Sequence, residues 1–135
     1  MSRFNLFVAL LTCVSLLPMR AAAQPSLIPL PASMQCGEGQ FRFGEKLKVF
    51  VDAYPGDSIA TVFNRFSASL TKVTGIKVSR AKEAKAALRL KLDKTLGAEA
   101  YTLKVTPDAI NITAARPAGF FYALQTLGQL LPSRA

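Results

Sequence analysis

The sequence predicts an α+β domain, a mixed β-sheet with two helices packed on one face, and three observations point to it. Apolar residues recur at helical spacing between Ser58 and Thr74 and again between Ala118 and Leu131. Short stretches such as Leu47-Lys48-Val49-Phe50-Val51 and Leu88-Arg89-Leu90-Lys91-Leu92 alternate with the period of a strand. These patterns interleave without the regular repetition of a doubly wound fold, and no internal repeat or low-complexity run is present.

The chain begins outside that domain. Met1-Ser2-Arg3 is a short basic start, Phe4 to Leu17 is mostly apolar, and Ala21-Ala22-Ala23 supplies the small residues a signal peptidase reads before Gln24. The apolar run is shorter than the roughly 20 residues needed to cross a bilayer, and Pro18 and Arg20 close it, so a stable membrane span is not expected. A lipoprotein site at Cys13 is disfavoured by the bulk of Thr12 before it. The expected organisation is a signal peptide at 1–23, a single small domain at 24–135, and export to the periplasm or the exterior.

Each element of the domain follows from its local pattern. Leu27, Ile28 and Leu30 lie among Pro25, Pro29 and Pro31, which predicts an extended lead laid against the body. Phe41-Arg42-Phe43 alternates as a short strand and Leu47 to Val51 as a second. From Ser58 to Thr74, Ile59, Val62, Phe63, Phe66, Leu70 and Val73 fall within an arc of about 100° at helical spacing. Asp57 or Ser58 is placed to cap that helix, and Gly75 to end it in a left-handed conformation. Phe63 and Phe66 are assigned to the core. Ile76-Lys77-Val78 and Leu88 to Leu92 are further strands. Tyr101 to Thr106 and Ala109 to Ala114 flank Pro107-Asp108 as an antiparallel hairpin, giving about five strands.

The last helix, from Ala118 or Gly119 to Leu131 with Pro132 as its stop, has an unusual composition. Phe120, Phe121, Ala123, Leu124, Leu127, Leu130 and Leu131 cover about half of its circumference, and the remaining Tyr122, Gln125, Thr126 and Gln129 are polar without charge. A helix facing water normally carries charges. This one is expected to be covered on both sides, by its own sheet and by something outside the chain.

Composition removes several function classes. The chain has no histidine, and the domain after Gln24 keeps one cysteine, Cys36, so neither an ordinary zinc site nor a Ser-His-Asp or Cys-His arrangement can be assembled. Cys36 reads as a buried small apolar residue. Gly37-Glu38-Gly39 leads into a strand-like segment and cradles no phosphate. Carboxylates alone can hydrolyse glycosides, but Asp57 is a cap candidate, Asp108 lies in a turn, Glu38, Glu45, Glu83 and Asp93 occupy loops or strand ends, and Glu99 starts a strand. No catalytic, metal or cofactor residue is therefore assigned. The formal charge of +9 falls to +7 once Arg3 and Arg20 leave with the leader, with much of the excess between Lys72 and Lys94. That segment has no aromatic residue to stack on bases, so nucleic acid is not the expected partner and a solvated basic face is.

Gly97-Ala98-Glu99-Ala100-Tyr101-Thr102-Leu103-Lys104-Val105-Thr106-Pro107-Asp108-Ala109-Ile110-Asn111-Ile112-Thr113-Ala114-Ala115, followed by Pro117-Ala118-Gly119-Phe120-Phe121-Tyr122-Ala123-Leu124-Gln125-Thr126-Leu127-Gly128-Gln129-Leu130-Leu131, resembles the hairpin and final helix of a known domain. This is the small domain that precedes the barrel in bacterial β-N-acetylhexosaminidases of glycoside hydrolase family 20. Leu27-Ile28-Pro29-Leu30-Pro31 is similar to the entry of the same domain. Ala109 and Ala123 depart from the family, which often has glycine there; this implies a tighter turn and a different helix contact within one fold.

The resemblance implies a parent enzyme that removes terminal β-linked N-acetylglucosamine or N-acetylgalactosamine. In that family the substrate's own acetamido group attacks the anomeric carbon, with a barrel Glu as acid and a neighbouring Asp steering the acetamide, both within a His-x-Gly-Gly-Asp-Glu segment. A chain without histidine lacks that segment, so by itself it is expected to be inactive and to end before the (β/α)8 barrel. The implied partner is that barrel, and Phe121, Leu124, Gln125 and Leu131 are the residues expected to pack on it. Two alternatives stay open: a stand-alone exported module gripping glycans or an acidic envelope polymer, and the small domain of another sugar-hydrolase barrel such as an α-glucuronidase.

Overall fold

A computed structural model describes residues 31–131. The expected leader at 1–23, most of the proline-rich lead and Pro132 lie outside the described residues. The elements are β1 (Lys46–Val51), α1 (Ser58–Thr74), β2 (Lys77–Arg80), β3 (Leu88–Leu92), β4 (Tyr101–Val105), β5 (Ile110–Ala114) and α2 (Pro117–Leu130). They build one five-stranded sheet in the order β2-β1-β3-β5-β4. β1 pairs in parallel with β2 and β3, β3 pairs in parallel with β5, and β4 closes the far edge antiparallel to β5. The sheet is mixed and both helices share one core on one of its faces, as the sequence predicts.

Alternation decides which face is covered. Leu47 and Val49 of β1, Leu88 and Leu90 of β3, and Ile110, Ile112 and Ala114 of β5 are buried, and the strand residues between them are not. Register aligns them: Val49 lies opposite Leu88, Leu88 opposite Ile110 and Leu90 opposite Ile112, so the apolar side chains form cross-strand rows under the helices. α1 contributes Ile59, Phe63 and Leu70, and α2 contributes Phe120, Ala123, Leu124 and Leu127. Strand ends are tied by side chains as well. The Leu92 amide donates to the Asp52 carboxylate at 3.1 Å, extending the β1–β3 edge past Val51.

Five local expectations need correction. Phe41 and Phe43 form no strand; their rings pack edge to face, with centroids 4.9 Å apart, and both lie against the core. Asp57 precedes α1 in a left-handed conformation (φ 51°) and makes no side-chain cap. Its carbonyl instead accepts the Thr61 hydroxyl. Val73, counted on the inward stripe, is 65% exposed and lies toward α2 on the open side of α1. Cys36 is exposed, since it lies in an irregular segment before β1. Thr126 is 5% exposed on the covered side of α2, where its hydroxyl shares a 2.7 Å hydrogen bond with that of Tyr101 on β4.

The ends of both helices have clear physical causes. Gly75 takes φ 77° and its amide bonds back to the Thr71 carbonyl, a left-handed stop that a side chain would oppose. Pro117 opens α2 with the fixed φ a first helical turn requires. No helix among the described residues is long and apolar enough to cross a membrane.

Candidate docking surface

The outer sides of α1 and α2 meet in a shallow groove. From α1 it is lined by Val62, Phe66 and Val73, and from α2 by Phe121, Gln125 and Gly128, with Leu124 as its floor and Leu131 at one end. Residues three, four and seven apart lie on one side of a helix, so each stripe is a direct product of helical spacing. Between Pro117 and Leu130 the sequence of α2 has no charged residue at all. Arg65 is the one charged side chain among the residues lining the groove.

Exposure separates the sequence-predicted interface residues. Phe121 is 45% exposed and stacks edge to face on Tyr122. Gln125 is exposed beside it, and Leu131 is half-buried against the core. Leu124 is only 2% exposed, so it supports the groove from below and offers little surface of its own. Leu130 and Tyr122 are exposed on the same helix. Val62, Phe66 and Val73 complete the surface from α1. Sequence reasoning assigned them to the core because one apolar stripe serves both core and groove, and their spacing alone does not tell the two apart. An apolar side of two adjacent helices left open to water is a feature of interaction surfaces.

No group of three or more His, Cys, Asp or Glu side chains among the described residues could hold a metal ion. What the surface can do chemically is exclude water against a partner.

Comparison with known proteins gives that surface its context. The family model for glycosyl hydrolase family 20, domain 2, matches residues 24–135. The chain therefore belongs to glycoside hydrolase family 20, as a domain of the kind that accompanies the family's barrel without being part of it. A curated β-hexosaminidase of Vibrio vulnificus is 27% identical over 111 residues, which is 82% of this chain and 12% of that protein. A family 20 exo-β-N-acetylglucosaminidase of Vibrio harveyi superposes with a TM-score of 0.67 at 28% identity, covering 81% of this chain and 16% of that one. The Streptomyces plicatus N-acetyl-β-hexosaminidase gives a TM-score of 0.68 at 31% identity, with 76% of this chain and 20% of that chain covered. The chain thus spans between an eighth and a fifth of the length of these relatives.

Proposed function

We propose that this chain is the non-catalytic small domain of an exported β-N-acetylhexosaminidase, and that its helix face seats the catalytic barrel. The reading rests on one observation above others: a largely apolar side of α1 and α2, open to water and with no charge on α2, in a domain whose relatives are several times longer. In the complete enzyme, the barrel carboxylates and the substrate acetamido group hydrolyse terminal β-linked N-acetylglucosamine or N-acetylgalactosamine with retention. The small domain contributes no reacting group. Its work is mechanical: Phe121, Gln125 and Leu131, with Val62, Phe66 and Val73 opposite, bury against the barrel wall and hold the chain where it enters the barrel. Export is supported by the leader pattern of Met1 to Ala23.

Reading the coding sequence beyond Ala135 tests this. A continuing frame that encodes a barrel with His-x-Gly-Gly-Asp-Glu is the expected result. A stop codon directly after Ala135, with the purified chain folded and monomeric, contradicts it.

A further inference from the structure

The face of the sheet turned away from the helices has the opposite chemistry. Lys46 of β1 lies directly opposite Lys77 of β2, and Lys48 opposite Ser79. Arg89 of β3 is opposite Asn111 of β5, which faces Lys104 of β4, and Lys91 is opposite Thr113. These are the outward positions of their strands, since the residues between them are the core. Cations thus stand on four of the five strands, and no outward strand position holds a carboxylate.

Little on the molecule neutralises them. The ion pair among the described residues is Lys91 to Glu83 at 2.7 Å, and the Glu83 carbonyl also accepts the Arg89 Nε. Lys46, Lys48, Lys77 and Lys104 are exposed and outside that pair. Like charges directly opposed across two strands cost stability, so the Lys46–Lys77 pair is a strain that a bound anion would relieve.

We propose that this open sheet face binds a linear acidic polysaccharide, one bearing a carboxylate or sulfate along its length. The charge repeats along and across strands, and Ser79, Thr102, Asn111 and Thr113 place hydroxyls and an amide between the cations to meet sugar hydroxyls. Phe50, half-buried, is the aromatic side chain on these outward positions, too little to stack a run of bases. The exposed large apolar side chains, Val73, Val105, Phe121, Tyr122 and Leu130, all belong to other surfaces, so no anchor for a bilayer projects here. In the complete enzyme this face stays open because the barrel takes the helix side, a point that rests on the function proposed above. The binding itself is read on the chain alone, so its failure and the failure of the barrel reading are separate results.

The test is binding of the purified chain to polygalacturonate, with neutral dextran and phosphatidylglycerol vesicles as comparison probes. Polygalacturonate is expected to bind, more weakly as salt is added. Changing Lys46, Lys48, Lys77 and Lys104 together to Gln is expected to weaken it at least about tenfold, and the same charge change at Arg42, Lys72, Lys94 and Arg116 by less than about threefold. If the fourfold variant fails to fold, the exposed pair Lys48→Gln and Lys104→Gln is expected to give a smaller loss in the same direction. Equal weakening by both sets, absence of binding, or binding to vesicles without binding to the polymer overturns the proposal.

Discussion

At Gly119 a side chain would have nowhere to go: a Cβ there falls 2.5 Å from the Ala100 carbonyl oxygen and 2.8 Å from the Ala114 Cβ. α2 therefore docks on the β4–β5 hairpin through bare backbone. Gly119→Ala is expected to destabilise the domain by roughly 1–3 kcal/mol, the cost of overpacking, measured as a lower urea midpoint. Gly128 on the same helix meets nothing within 4 Å, so Gly128→Ala is expected to stabilise by about 0.5–1 kcal/mol in the same assay. Asp93 makes a separate prediction at this scale. The Thr95 hydroxyl and then the Thr95 amide donate to its carboxylate and hold its pKa below the ordinary value, with a weak opposing push from desolvation. A lowered folded-state pKa adds stability that is present above the unfolded value of about 3.9 and disappears as pH falls through the folded one. In an NMR titration, Thr95→Val is expected to raise the Asp93 pKa towards the ordinary range; an unchanged value would show that the hydroxyl is not the cause.

Among the elements, α1 was the most legible. Its period and the terminating Gly75 predict Ser58 to Thr74, and those are its ends. The Pro107-Asp108 turn likewise marks the β4–β5 hairpin, with the Thr106 amide bonding to the Ala109 carbonyl across it. Ala109 needs no left-handed backbone, since Asp57 is the non-glycine residue with positive φ among the described residues. What stayed hidden depends on partners distant in sequence. Thr126 reads as outward-facing until Tyr101 is placed beneath it, and three alternating residues at Phe41 are too few to require a ladder. For the candidate surface, the uncharged side of α2 was visible in composition, and the matching contribution of α1 was not. Phe121 is the element's most informative position. Phe121→Asp is expected to cost the isolated chain no more than about 1–2 kcal/mol, because nearly half of the side chain is open to water, while preventing the domain from seating on the barrel proposed for it. Urea unfolding and co-purification with the barrel read the two effects separately.

For the whole molecule, the layers divide the labour. The sheet's inner rows and the two helices form one core, the outer side of the helices carries an apolar groove to which α2 brings no charge, and the outer side of the sheet is basic. The order of strands, with β1 and β5 each inserted between partners that are not both its neighbours in sequence, could not be read from local patterns, because it is set by long-range pairing. Because both helices cover the same face of the sheet, the two outer surfaces point in opposite directions, one proposed for a protein wall and the other for an anionic chain. The central claim is that the helix face is covered in the complete enzyme. The most direct measurement is side-chain oxidation footprinting of the polypeptide that carries the barrel, compared with this chain alone. The result expected is strong protection of Phe121, Leu130 and Val73 by the barrel, with Lys104 and Phe50 on the sheet face labelled equally in both. Equal labelling of Phe121 in the two samples would contradict the claim and leave the apolar helix face without the partner assigned to it.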